Sequence, residues 1–471
     1  MKPNLFDIFS SETPKWETLV DKELKKADAA SGLIWKTYEG FDVYPYQENY
    51  STEKVRELAW AISQLCSTQA KFEFYNLQQL EVTDPLALCK KIIKALNGGV
   101  NALRIKGNLS EADFKTAFNG VFTEVLWLEW LTDNPVEAAR IVVQFLTSRN
   151  ISPLHQSGSI NFSPLQQITE GKLSSDALNP DDLKDYLNKM SSLLPNVKAL
   201  KVDAGWVANA GGNMTQQIAF ALSQGNEYLN LANENDLSIQ QIADQLHFNF
   251  AIGSNFLIEC VKIRVFRFLW MKILNQYGLN NHSTFVSSET ATFGYSIYDS
   301  HNNLLRATTA SMSAILSGSD AHLVLPFDNE YKEATDFSDR IARNITNILL
   351  EESFLKKAEN PTQGSYVFDN IQYQLCEKAW ELFLNWETEG GFLKAQNQLK
   401  DTIKKSAEIV LNDFENGRQI ILGVNKYPNK SEKKQLEIEK KLPTRSKEIS
   451  PFRLSEKSEL NRLNEEGVEV K

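Results

Sequence analysis

From about Val100 onward, short apolar runs alternate with longer stretches whose apolar residues recur at helical spacing. That rhythm belongs to βα units feeding a parallel sheet. The short runs predict strands at 102–105, 124–130, 159–162, 197–202, 246–252, 284–288, 322–326 and, most weakly patterned, 365–368. Helical stretches at 135–147, 180–194, 214–231, 255–275, 304–316 and 336–355 separate nearly all of them. Eight strands with intervening helices fit a closed (β/α)8 barrel better than an open sheet. An open doubly wound sheet usually follows its first strand with a glycine-rich phosphate turn, and Lys106-Gly107-Asn108-Leu109-Ser110 is not one.

The flanks have a different character. Residues 1–45 hold no alternating apolar run beyond a short helix predicted at 16–26, and form an arm too poor in apolar residues to fold alone. Residues 46–390 make the predicted barrel with a helical extension before it. Helices predicted at 371–387 and 391–415 follow, with 391–428 as a C-terminal helical segment. Residues 429–471 are dense in Lys, Glu and Ser, with Pro443 and Pro451, which predicts a solvated tail or linker. No repeat recurs at a fixed period.

Composition narrows the function classes. With 50 Lys and Arg against 60 Asp and Glu, the net charge of −10 disfavours nonspecific nucleic-acid binding, which needs clustered cations. The apolar stretch 255–273 carries Glu259, Lys262, Arg264, Arg267 and Lys272, too many charges for a membrane span. The N-terminus lacks the apolar run of a signal peptide, so cytoplasm is the expected location. Cys66, Cys89, Cys260 and Cys376 lie far apart without metal-ligand spacing, as expected of reduced thiols.

Several runs are more specific. Asn249 to Trp270 reads as a strand, a glycine turn and a long helix with charges on every face, some of which need buried partners. Phe293-Gly-Tyr-Ser-Ile-Tyr-Asp-Ser-His301 leads into Arg306; Asp336-Phe-Ser-Asp-Arg340 leads into Arg343; Asn360-Pro-Thr-Gln-Gly-Ser-Tyr366 follows. With Val202-Asp-Ala-Gly-Trp-Val-Ala-Asn-Ala-Gly-Gly212 and Leu33-Ile-Trp-Lys-Thr-Tyr-Glu-Gly40, these runs resemble, in order and spacing, the barrel of the methylmalonyl-CoA mutases over roughly residues 1–425.

The resemblance implies a (β/α)8 barrel enclosing an acyl group, with the coenzyme A tail threading its axis. It also implies radical interconversion of methylmalonyl-CoA and succinyl-CoA, with adenosylcobalamin carrying the difficult chemistry. In that family cobalamin sits on a flavodoxin-like domain with an Asp-x-His-x-x-Gly motif. The closest string here, Asp320-Ala321-His322, lacks the glycine and falls in a predicted strand, so no cobalamin-binding domain is expected within these residues.

Departures from the family pattern fall on its substrate contacts. Where catalytic chains read Gly-Tyr-His, this chain has Gly205-Trp206-Val207, and valine neither donates a hydrogen bond nor carries a proton. Aligned on Gly318 and Phe327-Asp328, the family's Thr-Gln-Ser-Leu-His run loses its glutamine to Asp320 and its histidine to Leu323. The Arg-Gly-Pro-Tyr-Pro loop between the early tryptophan region and the first strand is missing. Such losses are the pattern of the family's small, noncatalytic subunit, which pairs with a large catalytic chain.

Other polar residues have simpler readings. His155, His247, His282, His301 and His322 are isolated, whereas zinc needs three or four convergent ligands. Asp299 and His301 fit a helix cap near Asn302 better than a catalytic pair. Arg306, Arg340 and Arg343 read as helix-to-sheet anchors through buried ion pairs rather than phosphate ligands. Gly205, Gly211, Gly212 and Gly253 read as sharp βα turns. No residue of this chain is assigned a catalytic, cofactor-binding or metal role.

The sequence therefore predicts a small (beta) mutase subunit partnered by a large (alpha) subunit that holds adenosylcobalamin and the acyl-CoA, with no nucleic acid or membrane partner. Two other readings stand beside it: an active barrel receiving cobalamin from a separate protein, and an acyl-CoA binding or assembly module without a mutase partner. The aromatics Phe6, Phe9, Trp16 and Trp35 mark the arm as the segment expected to wrap the partner.

Overall fold

The computed structural model describes residues 15–467 apart from 27, 48, 69–73, 175–177, 236, 281, 358–359, 435–437, 441 and 443–448. Phe6, Phe9 and Pro443 lie outside the described residues.

Eight parallel strands close into a barrel: β1 Tyr75–Glu81, β2 Ala102–Lys106, β3 Trp127–Leu131, β4 Ser157–Phe162, β5 Val197–Asp203, β6 Leu246–Ile252, β7 Phe285–Thr290 and β8 Ala321–Leu323. Each pairs with its sequence neighbours, and β8 closes the ring on β1 through Ala321–Tyr75 and Leu323–Leu77. The (β/α)8 expectation holds, with one strand relocated. The segment 365–368 begins the helix Tyr366–Thr388, because the apolar spacing continues through buried Ile371, Leu375, Ala379 and Phe383 at helical period. The strand it stood for is β1, whose Asn76, Gln78 and Gln79 mask its alternation. Asn76 and Gln78 are nonetheless buried, and Asn76 donates to Asn347 Oδ1 (2.8 Å) and the Arg343 carbonyl (3.2 Å) on a covering helix.

The predicted helices fall at Pro135–Ser148, Pro180–Leu193, Met214–Glu234, Phe256–Gln276, Asn302–Leu316 and Asp336–Asn347, the last running into a π-helical turn at Ile348–Glu352. Outward strand residues pack beneath them; Phe248 on β6 meets Phe266 and Trp270 of Phe256–Gln276. The charges that scatter around that helix all find partners. Glu259 and Lys262 pair at 2.7 Å, Arg267 pairs with Asp320 at 2.7 Å, and Arg264 reaches Thr362 Oγ1 and the Leu316 carbonyl (both 2.7 Å). Among the described residues no helix is long and apolar enough to cross a membrane, and all four cysteines are free thiols.

Residues 429–471 are less solvated than their composition implies. Phe452, Leu454 and Leu463 are buried, and Glu456–Glu465 forms a helix. Backbone bonds from Phe452 to Asn209 and from Leu454 to Phe293 lay this stretch on loops at the carboxyl ends of β5 and β7. Leu442 is buried as well, and buried Arg453 is neutralised by Glu459 and Glu330.

Candidate functional site

Barrel function is set by what fills the axis. Strand alternation sends Tyr75, Leu77, Ala102, Trp127, Phe285 and Leu323 inward at the amino-terminal end, where they form one apolar cluster. Trp127 on β3 and Phe285 on β7 belong to opposite strands, yet their rings stack at 3.7 Å between centroids with an interplanar angle of 11°. Tyr75 and His247 add edge or tilted contacts to the same stack. A ring stack between opposite strands leaves no passage along the axis at that level.

Above the rings lies a charged layer. Glu129 (β3) forms an ion pair with Arg104 Nε at 3.0 Å and accepts from Lys201 Nζ at 3.2 Å and Asn161 Nδ2 at 2.7 Å. Arg104 also crosses the barrel to Glu289 on β7, at 2.7 Å. His247 on β6 bridges Ser159 (3.1 Å) and Ser287 (2.7 Å), and the chain of bonds runs on through Asn249 to Asp203. Burial alone would raise the Glu129 pKa, but Arg104 and Lys201 hold its carboxyl well below the usual range. Burial pushes His247 down to about 3; Glu129 opposes that shift while Lys201 and Arg104 reinforce it, so the imidazole is neutral. Each charge is spent on a neighbour.

At the carboxyl end of β5, the end of a barrel where active sites assemble, the residue expected to be polar is apolar. Val207 lies in the short helix Gly205–Asn209 after β5 and is fully buried. Gly205 is required by space, since a Cβ would stand 2.9 Å from Asp203 Oδ1 and 3.1 Å from the Ala251 amide. Gly211, at φ +88°, closes the same turn against Ala407. Asp320 precedes β8 at the opposite end, accepting from Arg267 and the Val286 amide, while Leu323 belongs to the apolar layer. The structure does not bring Val207, Asp320 and Leu323 into one polar site.

The remaining candidates separate likewise. Asp299 takes the Asn302 amide group at 2.6 Å, while His301 stacks on Phe327 at 4.9 Å, so the two form no catalytic pair. His322 is sealed between Ser288 (2.8 Å) and Ser311 (3.0 Å), His282 pairs with Asp244, and His155 is exposed. Arg306 departs from its expected ion-pair role: it donates to Ser296, Asn303 and the Leu422 carbonyl. No ion pair of Arg306, Arg340 or Arg343 occurs among the described residues.

Charged residues on the inner strand faces were not anticipated, although Trp127-Leu-Glu-Trp-Leu131 and Ala102-Leu-Arg-Ile-Lys106 place a charge at the centre of apolar runs. Nor was a cavity of about 700 Å³ beside the axis. It lies among the helices that follow β5, β6 and β7 and residues 406–422, with Glu39, Trp35 and Leu454 in its walls.

Among the described residues no cluster of three or more His, Cys, Asp or Glu is placed to hold a metal. Residues 452–454 cover part of the face formed by the segments after β5 and β7.

The methylmalonyl-CoA mutase family model matches residues 110–464. The methylmalonyl-CoA mutase small subunit of Porphyromonas gingivalis is 30% identical over 458 residues, covering 92% of this chain and 72% of that protein. The methylmalonyl-CoA mutase of Rhizobium meliloti is 26% identical over 457 residues, covering 88% of this chain and 63% of its own length. The large subunit from Porphyromonas gingivalis also matches, at 30% identity over 250 residues, 52% of this chain and 35% of that protein. A closed parallel barrel with this sequence is a mutase-type isomerase fold. The chain belongs to the methylmalonyl-CoA mutase family, and its resemblance extends to a small subunit.

Proposed function

We propose that this chain is the noncatalytic small subunit of a heterodimeric, adenosylcobalamin-dependent methylmalonyl-CoA mutase, working in the cytoplasm beside a large subunit that binds cobalamin and acyl-CoA. The observation that carries the reading is the filled axis. The coenzyme A tail of a mutase substrate needs the space that Trp127, Phe285 and the Arg104–Glu129–Lys201 network occupy. The polar contacts expected of a working site are absent where Val207 and Leu323 stand, both buried in apolar surroundings. The existence of separate small and large subunits in Porphyromonas gingivalis supports a paired assembly.

Two measurements test this. The purified chain with adenosylcobalamin and methylmalonyl-CoA is expected to form no succinyl-CoA, and co-expression with a large mutase subunit is expected to yield a stable active complex. Turnover by the chain alone, or failure to co-purify with any large subunit, overturns the proposal. The filled axis also counts against an active barrel supplied with cobalamin by a separate protein.

A further inference from the structure

The cavity beside the axis has no part in that reading, yet it is built like a ligand site. Its volume of about 700 Å³ accommodates a drug-sized molecule. Trp35, Phe256, Leu257, Leu305, Val410 and Leu454 give it largely apolar walls. One wall carries the Glu39 carboxylate, only 6% exposed. Its Oε2 accepts the Met214 amide at 2.6 Å and the Thr215 amide at 3.2 Å, at the start of helix Met214–Glu234. Among the described residues no hydrogen bond reaches Oε1, and no cation pairs with the group.

The charged neighbours are already committed. Lys262 is held by Glu259 (2.7 Å), Gln217 (2.9 Å) and the Ala251 carbonyl (2.6 Å). Arg306 is tied to Ser296, Asn303 and the Leu422 carbonyl. An anionic ligand is disfavoured, because Glu39 occupies one helix start and Glu259 takes the Gly253 amide (2.7 Å) beside the other. A buried carboxylate facing an apolar cavity without a cation calls for one from the ligand.

We propose that this cavity binds a small apolar molecule bearing a primary amine, its ammonium on Glu39 and its hydrocarbon part against Trp35, Phe256, Leu305 and Val410. Burial raises Glu39 to about 7, with Glu259 adding to the rise and the Met214 and Thr215 amides and Lys262 opposing it. Binding an ammonium stabilises the ionised form, so affinity rises as Glu39 loses its proton, while the amine stays charged to about pH 10.

Titration calorimetry of the full chain with octylamine, octanol and octanoate tests this. Octylamine is expected to bind about tenfold more tightly than octanol, with octanoate weakest. Its affinity is expected to rise several-fold from about pH 6 to 8, as the carboxylate ionises. Glu39→Gln is expected to erase both the amine preference and the pH dependence while leaving octanol binding intact. Val410→Trp, which fills the cavity, is expected to abolish binding of all three. Equal binding of the three probes, a preference for octanoate, no binding by any probe, or an amine preference that survives in Glu39→Gln overturns the proposal. The probe ranking and pH dependence of the unmodified chain decide the matter even if a variant fails to fold.

Discussion

The Trp127 and Phe285 rings, carried by opposite strands, stack 3.7 Å apart across the barrel axis. This contact makes the barrel a solid core, and its removal has a defined consequence. Trp127→Ala deletes a 4%-exposed indole and leaves a void that the rigid strands cannot collapse into. The expected loss is about 3–5 kcal/mol, read from urea unfolding of the full chain. A loss below about 1 kcal/mol would mean that the axis is not packed as described.

The charged layer above the rings stabilises only as a set. Glu129 is fully buried and neutralises Arg104 and Lys201 at once. Glu129→Ala leaves two buried cations facing each other, at an expected cost of about 3–5 kcal/mol. Lys201→Met is expected to cost less, because Arg104 still balances Glu129. Comparable losses in the two variants would contradict this ordering.

Acid should weaken the fold through its sealed histidines. Burial lowers both His247 and His322 to about 3, so the folded chain keeps them neutral while the unfolded chain protonates them near pH 6.5. Below about pH 6.5 the unfolded state therefore binds more protons, and stability falls with pH down to the folded values. Glu129, held low, adds a loss that begins below its unfolded pKa of about 4.3. His322→Gln is expected to be less stable than the parent at pH 7 but to lose less between pH 7 and 5, measured as urea midpoints. An equal loss in both would show that His322 titrates normally.

Much of this was legible in the sequence where apolar period was unbroken, and obscured where polar residues serve the interior. The runs at β2 to β6 stand out because large apolar residues dominate their outward faces. β1 hides behind Asn76, Gln78 and Gln79, and Ser365–Phe368 mimics a strand because Tyr366, Val367 and Phe368 favour extended chain locally. Val207 could be singled out by position in a motif, without any geometry. The Glu129 network could not, since pairing Arg104 with Glu289 joins residues 185 apart in sequence. The cavity is beyond sequence reasoning for the same reason: Trp35, Phe256, Val410 and Leu454 meet only after folding.

Restoring a single family residue should not restore chemistry. Val207 is enclosed by the turn that Gly205 and Gly211 form, and the axis below it is filled. Val207→His is expected to form no succinyl-CoA with adenosylcobalamin and methylmalonyl-CoA, and to destabilise the chain by burying an imidazole without an assured partner. Turnover from this variant would show that the axis admits substrate.

The N-terminal arm supplies the last prediction. Helix Trp16–Leu24 buries none of its residues, and Leu19, Leu24, Leu33 and Trp35 are all exposed. Trp16 stacks on Tyr46 at 5.6 Å, which ties this helix to the chain near 46 while Leu19, Leu24 and Leu33 stay uncovered. Exposed apolar residues on a thin arm are suited to burial against a second chain, where a few aromatics supply most of the energy. Deleting residues 1–35 is therefore expected to abolish co-purification with a large mutase subunit. Removing Trp35 also opens one wall of the cavity, so Trp16→Ala with Leu19→Ser is the cleaner variant. It should weaken pairing at least about tenfold, the equivalent of about 1.4 kcal/mol, with the unfolding transition of the isolated chain unchanged. Undiminished pairing in both variants would place the interface elsewhere on the barrel.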